Sequence, residues 1–154
     1  MNLQFHEYVA TILHKEGWHE DRFVDPNYWI RILKDAGFQP TPNVETILSS
    51  FGGLKFEPPM NPEGAFRPEE LHFDPTDPIC NFDLVWYWSR KFGEIFCPIG
   101  AACGRAAIVI GESGAYYLVS DVGIHLAGAT FVDCMDCLVR AASKPSIVLL
   151  APEE

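Results

Sequence analysis

Basic residues are scarce in this 154-residue chain: 11 Lys and Arg stand against 21 Asp and Glu, a formal net charge of -10. Phosphate backbones are held by Lys and Arg, and here these are few and scattered, so direct nucleic-acid binding is not expected. No apolar run approaches the ~18 residues of a membrane helix. The start, Met1-Asn2-Leu3-Gln4-Phe5-His6-Glu7, lacks the basic region and apolar stretch of a secretory signal. The five cysteines are odd in number and show no tight disulfide spacing. The expectation is a protein with free thiols in a reducing cytoplasm, away from membranes.

Catalytic signatures are also missing. Gly111-Glu112-Ser113-Gly114 does not have the spacing of a nucleophile elbow and reads as a hairpin turn. Gly100-Ala101-Ala102-Cys103-Gly104 lacks the Lys-Ser/Thr ending of a phosphate loop and precedes a strand pattern. His6, His14, His19, His72 and His125 fall in no metal-ligand pattern. His125 on a strand could serve as a pocket base, although a surface histidine is the simpler account. Cys134-Met135-Asp136-Cys137 is a CxxC. A redox thiol works best at a helix N-terminus, whereas Thr130 holds the cap here. Cys134 borders the apolar stripe of its helix, and Cys137 is expected to turn away from it. Small core residues is the preferred reading of both. No catalytic residue, cofactor or metal is therefore expected, and the chain is not read as an enzyme.

What is present is apolar and aromatic: 48% hydrophobic residues, with 4 Trp and 11 Phe. That suffices for one compact domain over residues 1–154 with a substantial core. Phe5, Val9, Ile12 and Leu13 follow helical spacing up to Gly17. Asp25-Pro26 starts a second helix, Asp as N-cap and Pro at the first helical position. Trp29, Ile32, Leu33 and Ala36 line its inner face. Thr41-Pro42 repeats the signal, and Val44, Ile47, Leu48 and Phe51 continue the pattern into Gly52-Gly53. Both glycines are expected to end that helix in the left-handed conformation. Leu54 and Phe56 then alternate with Lys55 and Glu57, as in a half-buried strand.

From 57 to 78 the prolines are dense, which implies long loops around a short strand at 71–74. Phe82, Val85, Trp86, Ser89 and Phe92 suggest a helix ending near Gly93. Residues 95–99 suggest a strand, with Pro98 placing it at an edge or end. Residues 105–110 are apolar almost throughout, as in a strand covered on both faces. Residues 115–119 and 124–127 supply further strands after turns. Thr130 caps a last helix with Phe131, Met135, Leu138, Val139 and Ala142 buried, and 147–150 suggests a terminal strand. The fold class is α+β: N-terminal helices packed on a mainly antiparallel sheet, with a closing C-terminal helix.

The order of landmarks is more specific than any catalytic motif. Gly17-Trp18 with Arg22, then Trp29, Leu33 and Gly37, then Phe51-Gly52-Gly53-Leu54, Phe73-Asp74-Pro75 and Pro98-Ile99-Gly100 precede a hairpin and a helix. This order resembles the SUKH superfamily, and within it the type-three SUKH immunity proteins, over residues 5 to 142. The resemblance implies an α+β domain that binds and neutralises a secreted bacterial toxin, often a nuclease or nucleic-acid-modifying domain. It transfers no catalytic residue, and the shared motifs read as structural. The stretch around Cys97 and Cys103 departs from the family pattern, and 57–78 is where variation is expected.

An acidic surface suits a basic protein partner through steering and complementarity, although acidity also serves solubility alone. Glu63, Glu69, Glu70, Asp74, Asp77, Asp83 and Asp121, all in loops or at element ends, are the candidate contacts for a cognate toxin. The alternative is a small-ligand-binding regulatory domain with Trp86 or Tyr116 lining a pocket. A thiol or metal enzyme built on Cys134 and Cys137 is the third possibility.

Overall fold

The computed structural model describes residues 3–102 and 104–152. Three helices come first: α1 (Glu7–Lys15), α2 (Asn27–Asp35) and α3 (Pro42–Phe51). Two short strands follow, β1 (Lys55–Phe56) and β2 (Leu71–His72), and then α4 (Phe82–Phe92). The main strands are β3 (Phe96–Ala102), β4 (Ala106–Gly111), β5 (Tyr116–Ser120) and β6 (Gly123–Gly128). A closing helix, α5 (Phe131–Met135), runs into a π-helical turn (Asp136–Arg140), and β7 (Ser146–Leu150) follows as the last described element. Among the described residues the seven strands form one sheet in sequence order. Every neighbouring pair is antiparallel. The α+β class is as expected, with a sequential antiparallel sheet whose β2–β3 and β6–β7 connections carry helices.

Cover on both faces explains the apolar strands. Tyr116 and Tyr117 are successive in β5 and so point to opposite faces. The Tyr117 ring lies 5.3 Å from Phe96 and 5.7 Å from Phe92 of α4. The Tyr116 ring lies 5.5 Å from Phe131 of α5. All residues of β3 and β4 are accordingly buried.

Several local expectations shift. Asp25 accepts from the Asn27 amide at 3.0 Å, but it is not the N-cap: Pro26 holds that position, one residue later than expected, and no side chain caps α2. Ile30 and Leu33 are its buried residues, while Trp29, Ile32 and Ala36 are half-buried. Pro98 lies inside β3, not at an edge or end. It is tolerated because β2 meets β3 at Ala101 and Ala102, beyond Pro98, and a bulge separates Pro98 from Gly100. Ala142 is exposed. The π turn adds residues to the last turn, and Ala141 then takes a left-handed φ of 55° and is buried in its place. The same change of pitch carries Cys137 inward, so it is buried rather than turned away.

Candidate functional site

The motif residues of the N-terminal half converge on the end of α3. The Trp18 indole N–H donates to Ser50 Oγ at 3.0 Å, and its ring stacks on Phe51 at 5.1 Å. Arg22 donates to the carbonyls of Ser50 at 2.7 Å and Gly52 at 2.9 Å, satisfying acceptors that the helix end leaves open. Burial lowers the pKa of this guanidinium from its ordinary value, and it stays charged at any physiological pH. Gly53, with φ of 85°, makes the left-handed turn. Gly52 does not: its φ is -52°. A glycine stands there because a Cβ would come within 2.6 Å of Trp29 Cη2.

The chain then pairs across to β2 and β3. The Gly53 amide donates to the Phe73 carbonyl at 2.8 Å, and the Phe73 amide to the Leu54 carbonyl at 2.9 Å. A Cβ on Gly100 would stand 3.0 Å from Phe73 Cα. The motifs therefore form one structural joint between helices and sheet.

The seven acidic candidates separate into groups. Asp74, Asp77 and Asp83 gather around the segment between β2 and α4. Asp77 and Asp83, with Tyr28 and Ile32 of α2, Pro75, Asn81 and Phe82, line a groove of about 400 Å³. Tyr28 is 63% exposed at its wall. His72 sits between two carboxylates: its Nδ1–H donates to Asp77 Oδ2 at 2.7 Å, and its Nε2 is 3.9 Å from Asp74 Oδ2. Asp77 Oδ1 also accepts from the Ile79 amide at 2.9 Å. Burial alone would raise the Asp77 pKa, but the hydrogen bonds from His72 and Ile79 outweigh it and hold the carboxyl below its ordinary range. The Asp74 carboxylate turns inward to cap its own loop, accepting from the Thr76 amide at 2.8 Å. Asp83 is exposed in the first turn of α4.

The other four lie apart from this groove. Glu69 pairs with Arg105 at 3.6 Å and Glu70 with Lys55 at 3.7 Å. Glu63 is exposed in a turn fixed by Asn61, whose side chain bonds the Arg140 carbonyl at 3.0 Å. Asp121 is exposed between β5 and β6. Tyr28 and the exposed Phe23 were not among the sequence candidates. Their aromatic character alone could not separate them from the many aromatics that are core.

The two candidate pocket aromatics have different places. Trp86 stacks on Phe38 at 4.7 Å, and its indole N–H donates to the Ala36 carbonyl at 3.3 Å. Tyr116 lines a recess of about 550 Å³ with Leu3, Ile47 and Phe131. Burial pushes its phenol up to about 12.

Cys80, Cys97, Cys134 and Cys137 are free and buried. Desolvation pushes Cys97 to about 12 and Cys137 to about 11, and raises Cys80 and Cys134 further. These are neutral thiols, the reverse of a redox site. Cys103 lies outside the described residues. Among the described residues, no three His, Cys, Asp or Glu side chains meet with metal-binding geometry. No described helix is long and apolar enough to cross a membrane.

An aromatic joint under three helices, a seven-stranded antiparallel sheet and a closing helix define an α+β protein of the kind the landmarks implied. The family model for the SUKH-3 immunity proteins matches residues 5–141, and the chain belongs to that family. No curated protein and no solved structure matches it.

Proposed function

We propose that this protein neutralises a cognate secreted bacterial toxin by binding it, and that the groove between α2 and the 75–83 segment is the centre of the contact. Family membership supports the immunity role. The observation that carries the location is the meeting of Asp77 and Asp83 with exposed Tyr28 along one groove. Aromatic anchors in a polar surround are what protein interfaces use for affinity. Acidic side chains along the groove supply steering toward a basic partner.

A nuclease or nucleic-acid-modifying toxin has such a basic substrate groove. Inhibition would then be steric and electrostatic occlusion, with no chemistry by this chain, in the cytoplasm where the toxin acts. Glu63, Glu69, Glu70 and Asp121 would add to the long-range field rather than to the central contact. Residues 1–154 would act as one SUKH domain.

The test is to identify what co-purifies with the protein in its host, and to express the toxin domain of a neighbouring reading frame with and without it. Rescue of poisoned cells, with a complex of the two chains, is the expected result. Poisoning undiminished by co-expression would reject the reading.

A further inference from the structure

The sheet face that carries Tyr116 is covered by Phe131 at one end but opens at the other. There Leu118 of β5 lies at the bottom of a recess of about 410 Å³ walled by Phe66, Val122 and Pro145. That volume is within the range of about 300–1,000 Å³ typical of ligand pockets. Leu118 is nearly buried, whereas Val122 is 60% exposed. Ile147 of β7, paired with His125 in the lining, extends the apolar surface toward the sheet edge.

The rim carries the sign opposite to the protein's net charge. Arg105 and Lys144 both line the recess, and its lining contains no carboxylate. Asp121 precedes Val122 in the turn but is not part of the lining. The Arg105 side chain is 76% exposed, and its contact with Glu69 is a long 3.6 Å pair that leaves donors free. Among the described residues the ion pairs of Lys and Arg are Lys55–Glu70, Arg105–Glu69 and Arg140–Asp136, so no described carboxylate pairs with Lys144. In a chain of net charge -10, two cations over an apolar floor are complementary to an anion with an apolar body. A neutral apolar ligand would leave both cations unused, and a cation would be repelled.

We infer that this recess binds a small amphipathic anion, a carboxylate or sulfonate with an aliphatic or aromatic body. The head lies between Arg105 and Lys144, and the body lies against Leu118, Phe66 and Val122. The site is separate from the acidic groove and does not depend on the immunity reading.

Octanoate is the probe, titrated into the full chain by calorimetry and by amide chemical-shift mapping, with 1-octanol as the neutral control. Saturable octanoate binding, with shifts confined to Phe66, Arg105, Ala106, β5, the β5–β6 turn, His125 and residues 144–147, is expected. The R105A/K144A double variant should weaken octanoate about tenfold, the scale of two exposed ion pairs, and leave octanol unchanged. V122E should abolish octanoate binding by placing a carboxylate on the rim. Thermal melting of each variant confirms that it is folded, since all three positions are exposed. No saturable binding, shifts centred elsewhere, or an undiminished affinity in the double variant would overturn the assignment.

Discussion

The Trp29 ring lies over Gly52 so closely that a Cβ at that glycine would come within 2.6 Å of Trp29 Cη2, and closer still to the Leu48 carbonyl. The contact fixes α2 against the end of α3. Gly52→Ala should therefore destabilise the protein by overpacking, by about 2–3 kcal/mol. Gly93, at φ of 81° with no atom within 4 Å of a built Cβ, has only conformational strain to offer. Gly93→Ala should cost about 1 kcal/mol. Urea unfolding of the two variants measures the difference, and equal losses would mean that the Trp29 contact relaxes.

Asp77 should make stability fall in acid. Its folded carboxyl releases its proton more readily than the unfolded one, whose ordinary value is 3.8. The contribution is thus complete above that value and lost as pH falls through the lower, folded one. Asp77→Asn should cost about 1–2 kcal/mol at neutral pH, the scale of hydrogen bonds to a charged group. The gap between the two proteins should close below the ordinary value. A gap that persists unchanged into acid would assign the loss to shape instead of charge.

The buried thiols should be slow to react. Cys80, Cys97, Cys134 and Cys137 are both shielded and neutral at pH 8. Alkylation followed by peptide mapping should show each modified at least about a hundredfold more slowly in the folded protein than in urea, following the small population of open states. Rapid labelling of Cys137 in the folded state would show that the π turn opens.

Charge reversal should separate the groove from the remaining acidic surface. Asp83→Lys, exposed at the groove, should slow association with the toxin domain by about tenfold at low salt. Asp121→Lys, outside the groove's lining, should slow it by no more than about threefold, as expected for a screened charge away from the central contact. Stopped-flow traces at two ionic strengths would show this, and equal effects at both positions would place the contact outside the groove.

The N-terminal half was legible because its signals are local. Thr41 caps α3 through the Val44 amide at 3.4 Å, and Gly17, Gly37 and Gly93 take positive φ where the apolar periodicity stops. Strand alternation placed Leu54 and Phe56 inward correctly. Local signals failed where a distant partner decides. Pro98 argues for an edge by itself, yet the short reach of β2 lets it sit inside β3. Ala142 fits the apolar stripe of an α-helix, but the chain changes pitch after Met135.

By itself, the sequence determined the α+β class, the order of elements, the family landmarks and the acidic balance. These depend on periodicity, caps, turn residues and composition, which act over a few residues or over the whole chain. Tertiary structure alone decided which charges stand together. Asp77 and Asp83 meet Tyr28 across some fifty residues of chain, while Glu69 and Glu70 are drawn to Arg105 and Lys55. Coulomb interaction depends on distance through space and not along the chain, so a loop of acidic residues becomes a surface only once the helices and the sheet have set where each one points.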